Sequence, residues 1–322
     1  MSAAGLHIAS CLLRIWEGIF EGAITVTENR TCVVYHFFDG GMISQDNLAH
    51  FLAFGYSEEI DYYFVLAGES RFDFPELSNI KIMVTPNMNL DFGGYCTLVR
   101  TTPAIQDYDY LIFINSTCRG PFIEDLKSEK WWERFTQPID DGYGLVGPTI
   151  NIFDANEQLT IKSKIGDPSI YLGSHVQSYA YCIPKKVYRG LIGLGFYSAE
   201  EPLNKAEVIA SYEFRLTDFV LRMGLNIKSF LSPYDLDYRF PHLDLNATSH
   251  TGDLLYPDSY FGRTVGIKEV MFAKTNRNLY SESELFAVAQ EMLSANPEVI
   301  NSPAINSSRM RFYIHRVRPG VI

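Results

Sequence analysis

The sequence has 322 residues, of which 47% are apolar, so it is long enough for one large α/β domain or two medium-sized domains with a buried core. Aromatic residues make up 14% of the chain, a composition that excludes an intrinsically disordered protein. The net charge of −11 excludes a general basic field for nucleic acid or anionic lipid, although a local basic pocket for a small phosphate stays open. We therefore expect no nucleic-acid partner.

The cysteines and the N-terminal stretch bear on the cellular compartment. The five cysteines are odd in number and form no Cys-x-x-Cys pair, which favours a reducing compartment over a disulfide framework or a zinc site. Residues 5–26 are apolar but carry Arg14, Glu17 and Glu21, so they are too charged to span a bilayer and lack the basic start of a signal peptide. We expect residues 1–30 to form an amphipathic leader helix on a cytoplasmic protein without a transmembrane segment. Peripheral membrane attachment is an alternative, and four Asn-x-Ser/Thr sequons leave a secretory setting open.

The first part of the chain alternates strands with helices. β-Branched and aromatic runs predict strands at residues 31–38, 61–67, 80–85 and 108–114. Helices are predicted at residues 46–55 and from about Asp91, because aspartate is a favourable N-cap. This alternation predicts a mostly parallel sheet with both faces covered by helices, an α/β fold of the Rossmann-like type.

The second part continues the pattern and then becomes irregular. We predict, in chain order, strands at 144–151 and 179–183, a helix at 205–224 that Gly224 closes, a strand at 227–231, a helix at 283–295 and a basic tail at 309–318. Parallel sheets bind ligands at the carboxyl ends of their strands. Function is therefore expected in the segments that follow the strands, above all in residues 115–120.

The fourth predicted strand ends in the polar triplet Asn115-Ser116-Thr117. With this triplet, the order of elements resembles the nucleotide-sugar half of GT-A glycosyltransferases, in which the same strand usually ends in Asp-x-Asp and holds a divalent cation. The resemblance spans about residues 32–277, and its motifs are similar to those of rhamnan-synthesis and other surface-polysaccharide glycosyltransferases. It is carried by residues 91–95, 115–122, 145–149, 175–178, 212–224, 260–263 and 269–277. The resemblance implies a GT-A-like domain at 31–231 and a C-terminal extension at 232–322 that closes over the site.

The triplet departs from Asp-x-Asp, and this bears on metal binding. An amide and two hydroxyls are poor ligands for Mg²⁺ or Mn²⁺, so we expect no metal site and no cofactor besides a nucleotide diphosphate sugar as co-substrate. The diphosphate charge would then be offset by Arg119, whose guanidinium suits bidentate phosphate contact. The structural alternative is that the triplet is only a strand-to-turn connection and that Arg119 is a surface charge.

Glu213 is the candidate catalytic residue. The sequence around it is apolar, which predicts a raised pKa suited to a general base. The resemblance implies that Glu213 takes the proton of the acceptor hydroxyl while the diphosphate leaves from the opposite face, which inverts the anomeric carbon. The alternative is that Glu213 pairs with Arg215 or Lys205 on a solvated helix face.

Five further residues are candidates for donor binding. The resemblance places Asp91, Gly93 and Gly94 near the nucleoside, and His175 and Gln177 near the donor sugar or phosphate. Each has a structural alternative: Asp91 as a helix cap, the glycines as sites of tight helix–strand packing, and His175 as a buried structural histidine.

The function implied by the resemblance is transfer of a sugar from a nucleotide diphosphate sugar to a hydroxyl of a glycan or glycoconjugate, with inversion and without an Asp-x-Asp metal site. Two other functions stay open. One is a glycosyltransferase-like protein that binds a glycan or nucleotide without turnover. The other is a metal-dependent transferase whose ligands come from Asp39, Asp73 or the loop at 235–244.

Overall fold

The computed structural model describes residues 29–152, 160–166, 169–171, 174–240 and 253–319. Residues 1–28 of the predicted leader lie outside this part of the chain. The strands of the described residues are β1 (Thr31–Phe37), β2 (Asp61–Ala67), β3 (Ile80–Thr85), β4 (Tyr110–Asn115), β5 (Cys118–Arg119), β6 (Leu145–Gly147), β7 (Ile150–Ile152), β8 (Thr160–Lys162), β9 (Ser169–Tyr171), β10 (Ser174–Val176), β11 (Ala180–Pro184), β12 (Ile227–Ser229) and β13 (Ala273–Lys274).

Seven of these strands form one sheet in the order β12–β6–β11–β4–β1–β2–β3. Strands β1 to β4 run parallel, and β12 runs parallel to β6, while β11 is antiparallel to both β4 and β6. All seven residues of β1 are buried, as expected for a central strand covered on both faces. The protein is therefore a mixed α/β fold with a mostly parallel, Rossmann-like sheet flanked by helices, which confirms the predicted fold class.

Helices connect and cover these strands. They are α1 (Met42–Phe54), α2 (Leu90–Thr101), α3 (Glu133–Asp140), α4 (Lys185–Gly193), α5 (Lys205–Val208), α6 (Arg215–Arg222), α7 (Ile267–Val270), α8 (Glu282–Ala295) and α9 (Ser308–Val317). A π-helical segment, Ile209–Phe214, joins α5 to α6, so 205–222 is continuous helix with one wide turn. Gly224 follows it with φ +76°, the left-handed conformation that glycine adopts without strain.

The predicted strand at 144–151 is wrong as a single element. The chain forms β6 up to Gly147, passes through Pro148, and resumes as β7 at Ile150. Strand β6 belongs to the large sheet, whereas β7 pairs with β10. Proline has no N–H to donate to a strand partner, so the run of apolar residues continues but the ladder does not.

The C-terminal residues contact the sheet region at two places. Strand β13 pairs antiparallel with β5, which sets Ala273 opposite Arg119 and Lys274 opposite Cys118. Helix α9 packs on α1, where Arg309 and Arg316 hold the buried carboxylate of Asp46 at 2.8 and 2.5 Å. The chain after β12 therefore packs against both the strand that follows the polar triplet and the helix that follows β1.

Candidate functional site

A cavity of about 710 Å³ opens where the carboxyl ends of β1 and β4 meet the start of β11. Because β11 runs backwards, the residues before it reach the same edge as the residues after the parallel strands. The cavity brings together six residues predicted from the sequence: Asp91, Asn115, Ser116, Thr117, Gln177 and Glu213. It does not include Gly93, Gly94, Arg119 or His175 among its lining residues.

The polar triplet uses most of its hydrogen-bonding groups within the protein. Asn115 Oδ1 accepts from the backbone N–H and the hydroxyl of Thr117 at 3.1 and 2.5 Å. Ser116 Oγ accepts from the backbone N–H of Phe38 at 3.1 Å, which ties the ends of β4 and β1 together. The triplet thus shapes the strand-end wall of the cavity, and the amide of Asn115 leaves only its Nδ2 group for other contacts.

Glu213 lies in the π-helical segment, a kind of turn often found at functional sites. Its Oε1 lies 3.3 Å from His175 Nε2, and its Oε2 accepts from the Ser178 hydroxyl at 3.1 Å. Burial by itself would raise the pKa of Glu213, but the contact with His175, the charge of Lys274 and the Ser178 hydrogen bond outweigh burial and lower it. The expected raised pKa is therefore wrong: these contacts favour the ionised form of the half-buried Glu213 carboxylate.

Asp91 has the opposite electrostatic character. It lies in the first turn of α2, not at the N-cap position, which Asn89 occupies. Burial raises the pKa of Asp91 to about 6, although Asn115 Nδ2 donates to its Oδ2 at 3.0 Å and partly offsets this. The cavity thus holds one carboxylate whose pKa is lowered from its ordinary value and a second whose pKa is raised to about 6.

Arg119 does not face the cavity, and this placement contradicts its predicted contact with a donor diphosphate. The side chain is fully buried. Its Nε donates to Asn47 Oδ1 at 2.9 Å, and its Nη2 donates to both carboxylate oxygens of Glu282 at 3.2 and 3.0 Å. Residue 119 lies in β5, so its direction is set by pairing with β13, which sequence spacing alone did not indicate.

The cavity is lined by two cationic side chains from the C-terminal region, whereas the sequence predicted Arg119 there. Lys274 and Arg277 both line the cavity. Burial lowers the pKa of Lys274, and the nearby charge of Glu213 partly restores it; its Nζ also lies 5.1 Å from the ring centre of Tyr179. Arg277 pairs with Asp253 at 3.3 Å. A signal for these residues was present in the sequence, since the apolar run 270–273 is followed by five polar residues, 274–278, much as the apolar run of β4 leads into the triplet.

The remaining predicted donor residues have structural roles beside the cavity. A Cβ atom on Gly93 would lie 1.9 Å from the carbonyl oxygen of Met88, and one on Gly94 would lie 2.7 Å from His36, so both glycines permit close packing of α2. Gln177 lines the cavity but is buried, where it accepts from the Thr149 hydroxyl at 2.6 Å.

Carboxylates and histidines do not gather into an evident metal site in the part of the chain that the structure describes. No group of three or more His, Cys, Asp or Glu residues there has the geometry to hold an ion. Asp39, one of the alternative ligands, accepts from Gln45 and from the backbone of Arg71. Asp235 pairs with Lys228, and Asp244 lies outside the described residues.

None of the described helices combines the length and apolar composition needed to cross a bilayer.

Comparison with known proteins adds little to this geometry. No protein family matches the chain, and no curated protein matches it either. Among solved structures, the crystal structure of A197 from STIV is 12% identical over 50% of this chain and 67% of that chain, with a TM-score of 0.26. A similarity at this level carries no argument about function.

Proposed function

We propose that the protein is a glycosyltransferase that moves a sugar from a nucleotide diphosphate sugar to a hydroxyl of a glycan or glycoconjugate. The observation that carries this proposal is the convergence of the predicted base, Glu213, and the predicted donor residues Asp91 and Asn115 in one cavity that also holds Lys274. The motif resemblance supplies the reaction type, and the cavity supplies a carboxylate and a cation within one polar space.

In this reaction the acceptor oxygen attacks the anomeric carbon of the donor and the bond from that carbon to the phosphate oxygen breaks. Glu213 receives the acceptor proton, and its contacts with His175 and Ser178 fix the direction of the carboxylate. Attack from the face opposite the leaving diphosphate inverts the anomeric carbon.

Lys274 and Arg277 replace Arg119 as the groups that offset the charge of the diphosphate. Lys274 makes no ion pair within the part of the chain that the structure describes, and its half-buried ammonium faces the cavity beside Thr117 and Thr275. A phosphate oxygen there would gain a charge-assisted hydrogen bond in a site of reduced dielectric constant. The donor site is therefore metal-independent, with Lys274 and Arg277 in place of Arg119.

The donor site is tested by thermal unfolding with UDP, GDP, CDP and dTDP, each with Mn²⁺ and with EDTA. A ligand at about 100 times its dissociation constant adds about 2.7 kcal/mol of stability, which raises the midpoint by several degrees. We expect one diphosphate to raise the midpoint equally in EDTA. A rise that requires Mn²⁺ would instead favour the metal-dependent alternative.

Glu213→Gln tests the chemistry, because the amide keeps the shape of the side chain but cannot accept the proton. We expect transfer to be lost while the nucleotide that stabilises the wild type still binds. Glu201→Gln is a matched control, since Glu201 is an exposed carboxylate that precedes α5 and does not line the cavity. Turnover by Glu213→Gln at the wild-type rate would remove this residue from the mechanism.

A non-catalytic binding protein is the second candidate function. It is favoured by the internal hydrogen bonds of the triplet, which stands where the resembled enzymes hold a metal ion. Nucleotide binding without hydrolysis or transfer on any acceptor would distinguish this function from the proposed transferase.

A further inference from the structure

Asn47, on the buried side of α1, contacts two separate parts of the cavity wall. The side chain is fully buried. Its Nδ2 donates to the backbone oxygen of Ser116 at 2.9 Å and to the hydroxyl of Thr275 at 2.8 Å. Thr275 in turn donates from its backbone N–H to the oxygen of Thr117 at 2.9 Å. One amide thus joins the polar triplet to the C-terminal segment 274–277, both of which line the cavity.

Arg119 determines which way this amide points. Its Nε donates to Asn47 Oδ1 at 2.9 Å, so the amide oxygen faces the guanidinium and the amide nitrogen faces the wall. A flipped amide would set two donors against each other in a buried place, which is costly. Glu282 and the ring of Phe286 hold the guanidinium in place from the other side, the ring centre at 5.3 Å.

We infer that Asn47 is a positioning residue for the cavity and that Arg119 acts through it. The amide sets the distance between the triplet and segment 274–277, and that distance sets where Lys274 and Arg277 present their charges. Arg119 therefore contributes to the site indirectly, by fixing the orientation of Asn47. The expected effect on nucleotide binding rests on the proposed function, whereas the expected loosening of the contact between the triplet and segment 274–277 does not.

Asn47→Asp separates this role from general stability. The carboxylate has the same shape and pairs well with Arg119, but it has no N–H groups for Ser116 and Thr275. Asp46→Asn is the matched control, because Asp46 is the neighbouring residue on α1 and contacts Arg309 and Arg316 of α9 instead of the cavity wall.

The rate at which Cys118 is alkylated, measured for each cysteine peptide by mass spectrometry, reports whether the cavity wall formed by the triplet and segment 274–277 has loosened. Cys118 is buried in β5 opposite Lys274, whereas Cys182 is buried in the large sheet and serves as the internal standard. With the two hydrogen bonds lost, we expect Cys118 of Asn47→Asp to react about tenfold faster relative to Cys182. Asp46→Asn should leave this ratio unchanged.

An unchanged Cys118-to-Cys182 ratio in Asn47→Asp would overturn the inference, and so would an equal rise of both rates, which signals global unfolding. If Asn47→Asp does not fold, Thr275→Val removes the hydroxyl that accepts from Asn47 and that also donates to the Thr117 backbone oxygen at 3.1 Å, and it should give the same selective rise. The nucleotide that stabilises the wild type should bind at least tenfold more weakly to the variant. If no nucleotide binds the wild type, the proposed function fails, and the thiol ratio still decides the role of Asn47.

Discussion

At the scale of single residues, the two carboxylates of the cavity differ because different groups touch them. Glu213 has His175 and Ser178 within hydrogen-bonding distance, and these contacts together with the charge of Lys274 outweigh the cost of burial. For Asp91 the Asn115 amide, its own backbone N–H and the charge of Lys274 only partly offset burial, to which the charge of Glu213 adds, so its pKa rises to about 6. A residue's own sequence neighbours, apolar in the case of Glu213, do not reveal which groups reach it from other elements.

The His175→Phe variant tests the electrostatic environment of Glu213. Phenylalanine keeps a ring against Phe214 but removes the partner of Oε1. Burial then dominates, so the pKa of Glu213 should rise. The measurement is an NMR titration of the labelled Glu213 carboxyl, with Ser178→Ala as the comparison that removes only the contact with Oε2. A pKa that stays in place in His175→Phe would show that this contact does not control Glu213.

The raised pKa of Asp91 predicts that the free energy of unfolding depends on pH. The carboxyl titrates at 3.8 when unperturbed and at about 6 in the folded protein. Between these values the folded state binds more protons, so the contribution of Asp91 to stability is lost as the pH rises from 3.8 through 6. Asp91→Asn removes this loss and should raise the free energy of unfolding at pH 7.5, by about 3 kcal/mol at most.

Urea denaturation of wild type and Asp91→Asn at pH 4 and at pH 7.5 measures this effect. The gain should be large at pH 7.5 and small at pH 4, where the wild-type carboxyl is already largely neutral in the folded state. The same gain at both pH values would contradict the raised pKa.

At the scale of elements, α9 is held to α1 by a buried charge. The side chain of Asp46 is 1% exposed and contacts both Arg309 and Arg316. Replacing both arginines by methionine leaves a buried carboxylate without its partners, which costs about 3–5 kcal/mol. The triple variant with Asp46→Asn should recover most of this loss, because the uncompensated charge is gone. Urea denaturation gives both numbers, and equal stabilities of the double and triple variants would contradict the argument.

Elements whose bounds depend on neighbouring residues in the sequence were predicted well. Strands β2 and β3 have the predicted bounds, because runs of apolar, β-branched or aromatic residues bounded by turn residues mark both. The reversed direction of β11 and the short pairing of β5 with β13 were not predicted, since both depend on contacts between distant residues. The orientation of Arg119 follows from the second of these pairings, which explains why the sequence could place Asn115 in the cavity but misplaced its near neighbour.

At the scale of the whole molecule, one edge of the large sheet carries exposed apolar side chains. Strand β3 lies at that edge, and its residues Ile82 and Val84 are 49% and 64% exposed. An unpaired apolar edge strand is a template for pairing with another chain. We therefore expect Val84→Lys to reduce aggregation during refolding, measured by light scattering. Phe312→Lys is the control, since it removes a large exposed apolar side chain from a helix, and an equal effect would show that the edge itself is not responsible.

The cavity is assembled from segments that are far apart along the chain, from His36 near the end of the first strand to Arg277 near the C-terminal helices. A ribosome makes these segments in order, so the sheet strands β1 to β4 emerge long before the wall formed by residues 274–277. The growing chain consequently has no complete ligand site until residues 274–277 have been synthesised. Whatever the cavity binds is therefore recognised only after that point, and a chain that stops before residue 274 would lack this wall of the site.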